Sequence, residues 1–368
     1  MRRASWLWIK REMRSKVPNA MDSIIQLVEG WIAEKSIPGA VLDITLSDRF
    51  HFQQAFGAHS TETENKAFTL STLFDAASLT KVTATLPAVL LLMERRMLAL
   101  DDRVQRFLPQ FRHPEVTLRQ LLQHSSGLPA DLPDIARNKP RDIMAEIIAQ
   151  ELLFAPGSQV VYSDLGMILL GSIVEHVTGE KLNGFTRREI FIPLSMSDTM
   201  YLPSDSCKNR IAATEWNEGA FISGVVHDEK SFLLGGVSGS AGLFTTASDL
   251  TRYARMWLEP ADSLLTKRWR EECLRGPLMG RGLGWEVWPG IQSLSERCEV
   301  PSQSCGDDWP AGSYGHTGFT GTSIWIEPES GLTVVFMTNA VHYGRANPIR
   351  RLRPILHQAI YSSLIMGV

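Results

Sequence analysis

Strand-forming sequence stands at both ends of this chain, and mostly helix-forming sequence stands between them. Near the N-terminus, Val41–Leu46 and Phe50–Phe56 are rich in β-branched and aromatic residues and meet at Ser47-Asp48-Arg49, so they read as a hairpin. Near the C-terminus, Thr322–Glu327 and Leu332–Asn339 are joined by Pro328-Glu329-Ser330-Gly331, a second hairpin. Helical periodicity runs through Met21–Ala33 and through Ile349–Leu364. The expected fold is α+β: an antiparallel sheet flanked by N- and C-terminal helices, with a mainly helical region inserted in the chain. The expected organisation is a flexible segment over 1–20 and a single domain over 21–368. Its α/β part covers about 21–60 and 240–368, and its helical part about 61–239.

The interior elements follow from caps and breakers. Val82–Leu98 reads as a long helix that Pro87 can kink. Thr117 caps Leu118–His124, which ends at Gly127. Arg141–Glu151 is another helix, and Asp164 or Ser163 caps Leu165–Thr178, closed by Gly179. Gly239–Thr245 looks like a strand and Ala247–Trp257 like a helix.

Composition excludes several classes of function. The net charge of −3, with no Lys/Arg cluster interleaved with aromatics, argues against nucleic acid as a partner. The apolar run Leu86–Met93 is far too short to span a membrane, and Trp6-Leu7-Trp8-Ile9 is broken at Lys10, so neither a membrane partner nor a secretory leader is expected. That makes the expected location cytoplasmic. Cys207, Cys273, Cys298 and Cys305 contain no C-x-x-C and read as reduced thiols, with a Cys298–Cys305 disulfide left open. A P-loop, a G-x-G-x-x-G helix opening and a G-x-S-x-G elbow are all missing, so no cofactor and no metal are expected and an α/β-hydrolase is disfavoured. Nothing in the sequence specifies an oligomeric state.

Three segments carry chemistry. Ser78-Leu79-Thr80-Lys81 is the only Ser-x-x-Lys, placed where Phe74-Asp75-Ala76-Ala77 runs into a helix. A serine in a first helical turn lies beside unpaired N–H groups, and a lysine three residues on shares its face. Burial would lower that lysine's pKa and let it take the serine's proton. Tyr162-Ser163-Asp164 follows the turn Ala155-Pro156-Gly157-Ser158, and a tyrosine there can shuttle a proton beside cations. His316-Thr317-Gly318-Phe319 precedes the terminal hairpin; a Thr-Gly on an edge strand lets a substrate carbonyl reach the backbone, and a following N–H can stabilise an oxyanion. His316 would place a cationic or hydrogen-bonding group at the pocket.

In this order, the three segments resemble the serine β-lactamase and penicillin-binding-protein superfamily, closest to its class C β-lactamase and esterase-like branch. Supporting phrases are Ser36-Ile37-Pro38-Gly39-Ala40-Val41, Leu100-Asp101-Asp102-Arg103-Val104 and Thr117 through Leu128, and the match covers about residues 22–362. The resemblance implies a β-lactamase/transpeptidase-like fold. It implies Ser78 as acylated nucleophile, Lys81 as base or proton relay, Tyr162 as proton-transfer residue and His316 in place of the family's lysine. The backbone N–H groups of Ser78 and Phe319 would form the oxyanion hole, and Asp164, Thr317, Gly318 and His227 would bind substrate. Two departures stand out: Asp164 replaces the asparagine of class C enzymes, where it can equally be only a helix cap, and His316 replaces a permanent cation. Both weaken the case for efficient antibiotic hydrolysis.

The stretch Ile211–Gly242, taken with His316–Thr322, is similar to a bacterial subgroup that includes N-acetylmuramyl-L-alanine amidases of cell-wall recycling, although Ser240 stands where relatives often carry histidine. The implied partner is a small-molecule or peptide-like substrate. The implied activity is acyl-enzyme hydrolysis of an amide or ester, muropeptides favoured. The alternatives are a carboxylesterase, a weak β-lactamase, or a non-catalytic penicillin-binding or scaffold protein. Trp216, Trp285 and Trp309 are candidate pocket walls, and His124 is expected to satisfy backbone carbonyls.

Overall fold

The structure is a computed structural model that describes residues 21–60, 65–258, 264–291 and 304–367. The expectation for residues 1–20 falls outside the described residues, as does Cys298, on which a Cys298–Cys305 disulfide would depend.

Twelve strands are present among the described residues: β1 (Gly39–Leu46), β2 (Phe50–Ser60), β3 (Asn65–Ala67), β4 (Phe74–Asp75), β5 (Met200–Tyr201), β6 (Trp216–Asn217), β7 (Ala220–Phe221), β8 (Leu243–Thr245), β9 (Glu286–Val287), β10 (Tyr314–Thr317), β11 (Ser323–Glu327) and β12 (Leu332–Thr338). Seven of them form one antiparallel sheet in the order β3-β2-β1-β12-β11-β10-β9. The two ends of the chain meet at its centre, where β1 pairs with β12 from Ala40↔Thr338 to Thr45↔Thr333. Both strands are buried throughout because each sheet face is covered. Alternation sorts their side chains. Ala40, Leu42, Ile44, Val334 and Phe336 pack on one face with Ile24, Val28, Leu352 and Leu356 from the helices at 21–33 and Ile349–Tyr361. Val41, Val335 and Met337 pack on the other face with Leu250, Tyr253 and Ala254 of the Ala247–Leu258 helix.

The expected strand over 239–245 is shorter and lies elsewhere. Only Leu243–Thr245 is strand, and it sits between β4 and β5 in a separate three-stranded sheet. That small sheet leads β4 directly into Ser78. The helix that follows opens with a widened π turn at Lys81–Thr85 and continues as Leu86–Glu94, ending four residues before the expected Leu98. Pro87 falls in the first turn after the widened one, where a missing N–H costs least. The Arg141–Glu151 expectation shrinks to Ile143–Ile148, capped by the Asp142 carboxylate. The helix Asp164–Thr178 has Ser163 as its cap residue and Gly179 in the left-handed conformation at its end. No helix among the described residues is long and apolar enough to cross a membrane.

Candidate active site

The turn that carries Ser78 is built with strain and held by a buried carboxylate. Ala77 adopts φ +46°, a left-handed conformation unfavourable for a residue with a Cβ. Its N–H donates to Asp75 Oδ1 at 2.8 Å, and the other oxygen, Oδ2, accepts the His227 N–H at 2.6 Å. Asp75 thus ties the Ser78 turn to the 227 loop, a role no sequence motif signalled. Burial pushes the Asp75 carboxyl above its ordinary value, against the pull of the two backbone donors.

Lys81 is fully buried one helical turn from Ser78. Its Nζ donates to Ser78 Oγ at 2.9 Å and to the Ser240 carbonyl at 2.9 Å, and it lies 2.7 Å from Asp164 Oδ1. Three acceptors for three ammonium hydrogens is the arrangement of a charged lysine. Here the expectation of a depressed lysine fails. Burial does favour the neutral amine, but Asp164 and Tyr162 outweigh it, and the ammonium is held above its ordinary value. Asp164 is therefore more than a helix cap, since Ser163 fills that position. Its burial opposes the carboxylate, but Lys81 and Lys230 win and hold its pKa at about 2.

The Tyr162 ring packs 4.6 Å from His124 and 5.9 Å from His316, centroid to centroid. Lys81 Nζ lies 5.2 Å, and the Arg281 guanidinium 5.3 Å, from the ring centre. His124 differs from expectation: its Nδ1 accepts the Ser163 N–H at 3.1 Å rather than serving a carbonyl. It is a wall beneath Tyr162.

Of the two readings of His316, a cation or a hydrogen-bonding group, the structure favours the second. Its Nδ1 sits 2.9 Å from the Thr317 carbonyl, which can only accept, so Nδ1 carries the hydrogen and Nε2 presents a lone pair. That Nε2 is buried and has no hydrogen-bond partner among the described residues. Burial, then Arg281, Lys81 and His124, drive the His316 pKa well below its ordinary value. His316 is a neutral hydrogen-bond acceptor, and the positive charge it lacks is supplied nearby by Arg281.

The edge at β10 is open where it matters. The strand β9 pairs only with Tyr314 and Gly315, which leaves His316 and Thr317 beyond its end. Thr320 Oγ1 donates to the Asp75 carbonyl at 2.8 Å and Thr322 Oγ1 to the Ala76 carbonyl at 3.1 Å, clamping this turn to the Ser78 turn. Arg353, buried below, donates to the carbonyls of Gly318 and Gly321. A Cβ on Gly318 would lie 2.1 Å from Thr322 Oγ1 and 2.6 Å from the Ala76 carbonyl oxygen, so only glycine permits this approach. Among the hydrogen bonds of the described residues, none takes the N–H of Ser78 or of Phe319. Both are available to an oxyanion.

These groups open onto a cavity of about 670 Å³ whose walls include Ser78, Tyr162, Asp164, His227, His316, Thr317, Gly318 and Phe319. The fold thus brings every expected site residue except the buried Lys81 to one surface, with Lys81 directly behind Ser78. His227 stacks on Phe319 with ring centres 5.8 Å apart, and its Nε2 meets Glu215 at 2.9 Å. Trp285 and Trp309 are core residues rather than pocket walls, and Trp216 is exposed. Sequence reasoning missed Arg281, Glu286, Lys230 and Arg353, none of which stands in a recognisable motif; all four line the cavity. Burial raises the Glu286 carboxyl above its ordinary value, and Ser304 Oγ donates to it at 3.1 Å. Among the described residues no group of three or more His, Cys, Asp or Glu is placed to hold a metal ion.

Comparison with known proteins gives concordant results. The Beta-lactamase family model matches residues 22–358. The chain is 31% identical over 376 residues to a protein of Escherichia coli (strain K12) provisionally named D-alanyl-D-alanine carboxypeptidase, covering 87% of this chain and 83% of that one. It is 31% identical over 365 residues to the N-acetylmuramyl-L-alanine amidase of Bacillus subtilis (strain 168), covering 86% and 80%. Among solved structures, EstCE1, a hydrolase with promiscuous acyltransferase activity, superposes with a TM-score of 0.75 at 21% identity, covering 93% of this chain and 98% of that one. A class C beta-lactamase superposes with 0.72 at 21% identity, covering 94% and 96%. At that identity the structural likenesses speak to the fold.

Proposed function

The chain belongs to the beta-lactamase family and has its α+β fold, and from that premise we propose a serine hydrolase that forms an acyl-enzyme on Ser78 and cleaves amides of cell-wall-derived muropeptides or related peptide-like compounds. The observation that carries the reading is the 2.9 Å contact of the Lys81 ammonium with Ser78 Oγ at the mouth of the cavity.

The chemistry follows from the protonation states. Lys81 acts as an ammonium that steadies the serine oxygen as it loses its proton. Ser78 Oγ bonds to the substrate carbonyl carbon, and the carbonyl electron pair moves onto oxygen between the N–H groups of Ser78 and Phe319. Tyr162 receives the serine proton while giving its own to the leaving nitrogen, and the C–N bond breaks. Water then attacks the ester, releases the acid and restores the Ser78 hydroxyl. His316 Nε2, Arg281 and Glu286 contact the bound substrate.

The muropeptide reading is supported by the names of two relatives that match over most of the chain, an N-acetylmuramyl-L-alanine amidase and a protein provisionally named D-alanyl-D-alanine carboxypeptidase. A cavity lined by both cations (Arg281, Arg350) and carboxylates (Asp131, Glu286) suits a substrate bearing several charged groups. A cytoplasmic location belongs to the same proposal; Cys207, Cys273 and Cys305 are free thiols, as a reducing compartment leaves them.

The test is product analysis with N-acetylmuramyl-L-alanyl peptide, a p-nitrophenyl ester and a penicillin. Release of N-acetylmuramic acid by wild type and not by Ser78→Ala is the expected result. Ester turnover alone would replace the reading with carboxylesterase, and penicillin turnover alone with a weak β-lactamase. A lasting penicillin adduct without turnover would replace it with a non-catalytic receptor.

A further inference from the structure

Lys230 is a buried lysine at the edge of the site with no part in the chemistry above. It lies in the first turn of the short helix Glu229–Leu233, which Asp228 caps by accepting the Ser231 N–H at 2.7 Å. Its side chain is 2% exposed. Its Nζ lies 2.9 Å from Asp131 Oδ2, 3.0 Å from Asp228 Oδ2 and 3.3 Å from Asp164 Oδ2. The other oxygen of that same Asp164 is the one 2.7 Å from Lys81. One carboxylate is thus gripped between two buried ammonium groups.

A second path joins the same helix to Lys81. Ser231 Oγ meets Ser238 Oγ at 2.8 Å, Ser238 Oγ meets Ser240 Oγ at 3.0 Å, and the Ser240 carbonyl accepts from Lys81 at 2.9 Å. Two of the three contacts of the Lys81 ammonium therefore rest on segment 228–240. An ammonium buried only to fill space would be replaced at less cost by an apolar side chain. Charge counting gives Lys230 a purpose: without it, Asp164 would keep Lys81 as its one ion-pair partner.

We propose that Lys230 is a positioning residue of this hydrolytic site: it holds Asp164 as the carboxylate that clamps Lys81, and with the serine chain it makes segment 228–240 the second support of the Ser78–Lys81 pair. The proposal rests on the hydrolase reading. The groups that face the clamp are Lys81 and Lys230 on either side of Asp164, Asp131 and Asp228 across Lys230, and Tyr162, His124 and His316 around Lys81. With Lys230 gone, Asp164 keeps one cation against its burial, so it takes up a proton at higher pH and releases Lys81.

The test measures kcat/KM for a p-nitrophenyl ester from pH 5 to pH 9 in wild type, Lys230→Met, Lys230→Arg, Asp164→Asn and Asp164→Asn/Lys230→Met, with melting temperatures for each. The expected loss in Lys230→Met is about twofold at pH 8 and about tenfold at pH 5, where it approaches the loss in Asp164→Asn, because the acid limb moves upward. Lys230→Arg restores most of the activity. In the Asp164→Asn background, removing Lys230 costs less than about twofold, since the group it acts through is already gone. An equal loss at every pH and in both backgrounds would mean a structural role and overturn the proposal, as would no loss at all. If Lys230→Met does not fold, the comparison of Asp164→Asn with the double variant decides in the same way. Failure of the hydrolase reading shows separately, as wild-type ester turnover that does not depend on Ser78, and the proposal falls with it.

Discussion

Asp164 and Lys81 meet at 2.7 Å inside the protein, carboxylate to ammonium, directly behind the Ser78 hydroxyl. This pair decides how the site works. A buried lysine without a partner would be neutral and could act as a base. With Asp164 beside it, the lysine stays charged and serves the serine oxygen as a hydrogen-bond donor.

Asp164→Asn tests that relationship. The amide keeps the size and one acceptor but removes the charge. Burial then acts on Lys81 with little opposition, and its pKa falls. The expected loss in kcat/KM is about tenfold. Stability changes with a defined sign. The Asp164 carboxyl is held at about 2 in the folded protein, below the unfolded value, so its contribution is present above about pH 4 and is lost as pH falls towards 2. Denaturant unfolding at pH 5 and pH 2.5 checks this: the wild-type advantage over Asp164→Asn is large at the first pH and shrinks at the second.

Tyr162→Phe removes the phenol oxygen and leaves the ring packed against His124 and His316. The expected result is a kcat lowered by about 10²–10⁴ with little change in KM, as for a lost proton-transfer group. Steady-state kinetics on an amide substrate gives the split. A rise in KM alone would make the tyrosine a binding contact.

Gly318→Ala tests the oxyanion geometry. The added methyl would meet Thr322 Oγ1 and the Ala76 carbonyl, both far inside contact distance. The turn bearing Phe319 must then move away from the turn bearing Ser78. Loss of one correctly placed donor costs about 10²–10³ in kcat. The melting temperature should fall less sharply than activity, since the strain is local.

Buried histidines set the acid limit of the fold. His124 and His357 are each held at about 3, and His316 also lies well below its ordinary value, in every case chiefly through burial. Each binds a proton in the unfolded chain before the folded one does, so the fold loses stability as pH drops below about 6.5. Denaturation midpoints at pH 7, 6 and 5 measure the loss, and His357→Asn, at a residue that does not line the cavity, should flatten the curve.

The legible parts of this protein were those that one stretch of sequence encodes alone. Runs of β-branched and aromatic residues gave β1 and β12, turn chemistry gave the two hairpins, and the spacing of Ser78 and Lys81 gave their contact. What stayed hidden depends on contacts between distant segments. Whether Lys81 is charged depends on Asp164, 83 residues away. Whether His316 is charged depends on Arg281 and on burial depth. Lys230 has no motif because its meaning lies in three aspartates from three separate segments. The strand expected over 239–245 keeps only residues 243–245, the ones that β4 and β5 flank.

The most direct test of the central claim is intact-protein mass spectrometry after brief exposure to an amide or ester substrate, or to a penicillin, with wild type and Ser78→Ala side by side. The expected result is a mass increase equal to one acyl group, mapped by peptide digestion to Ser78, in wild type alone. Substituting serine in this first helical turn costs at most about 2 kcal/mol, so the variant remains folded. Turnover or an adduct that survives in Ser78→Ala, or an adduct mapped to another residue, would contradict the account.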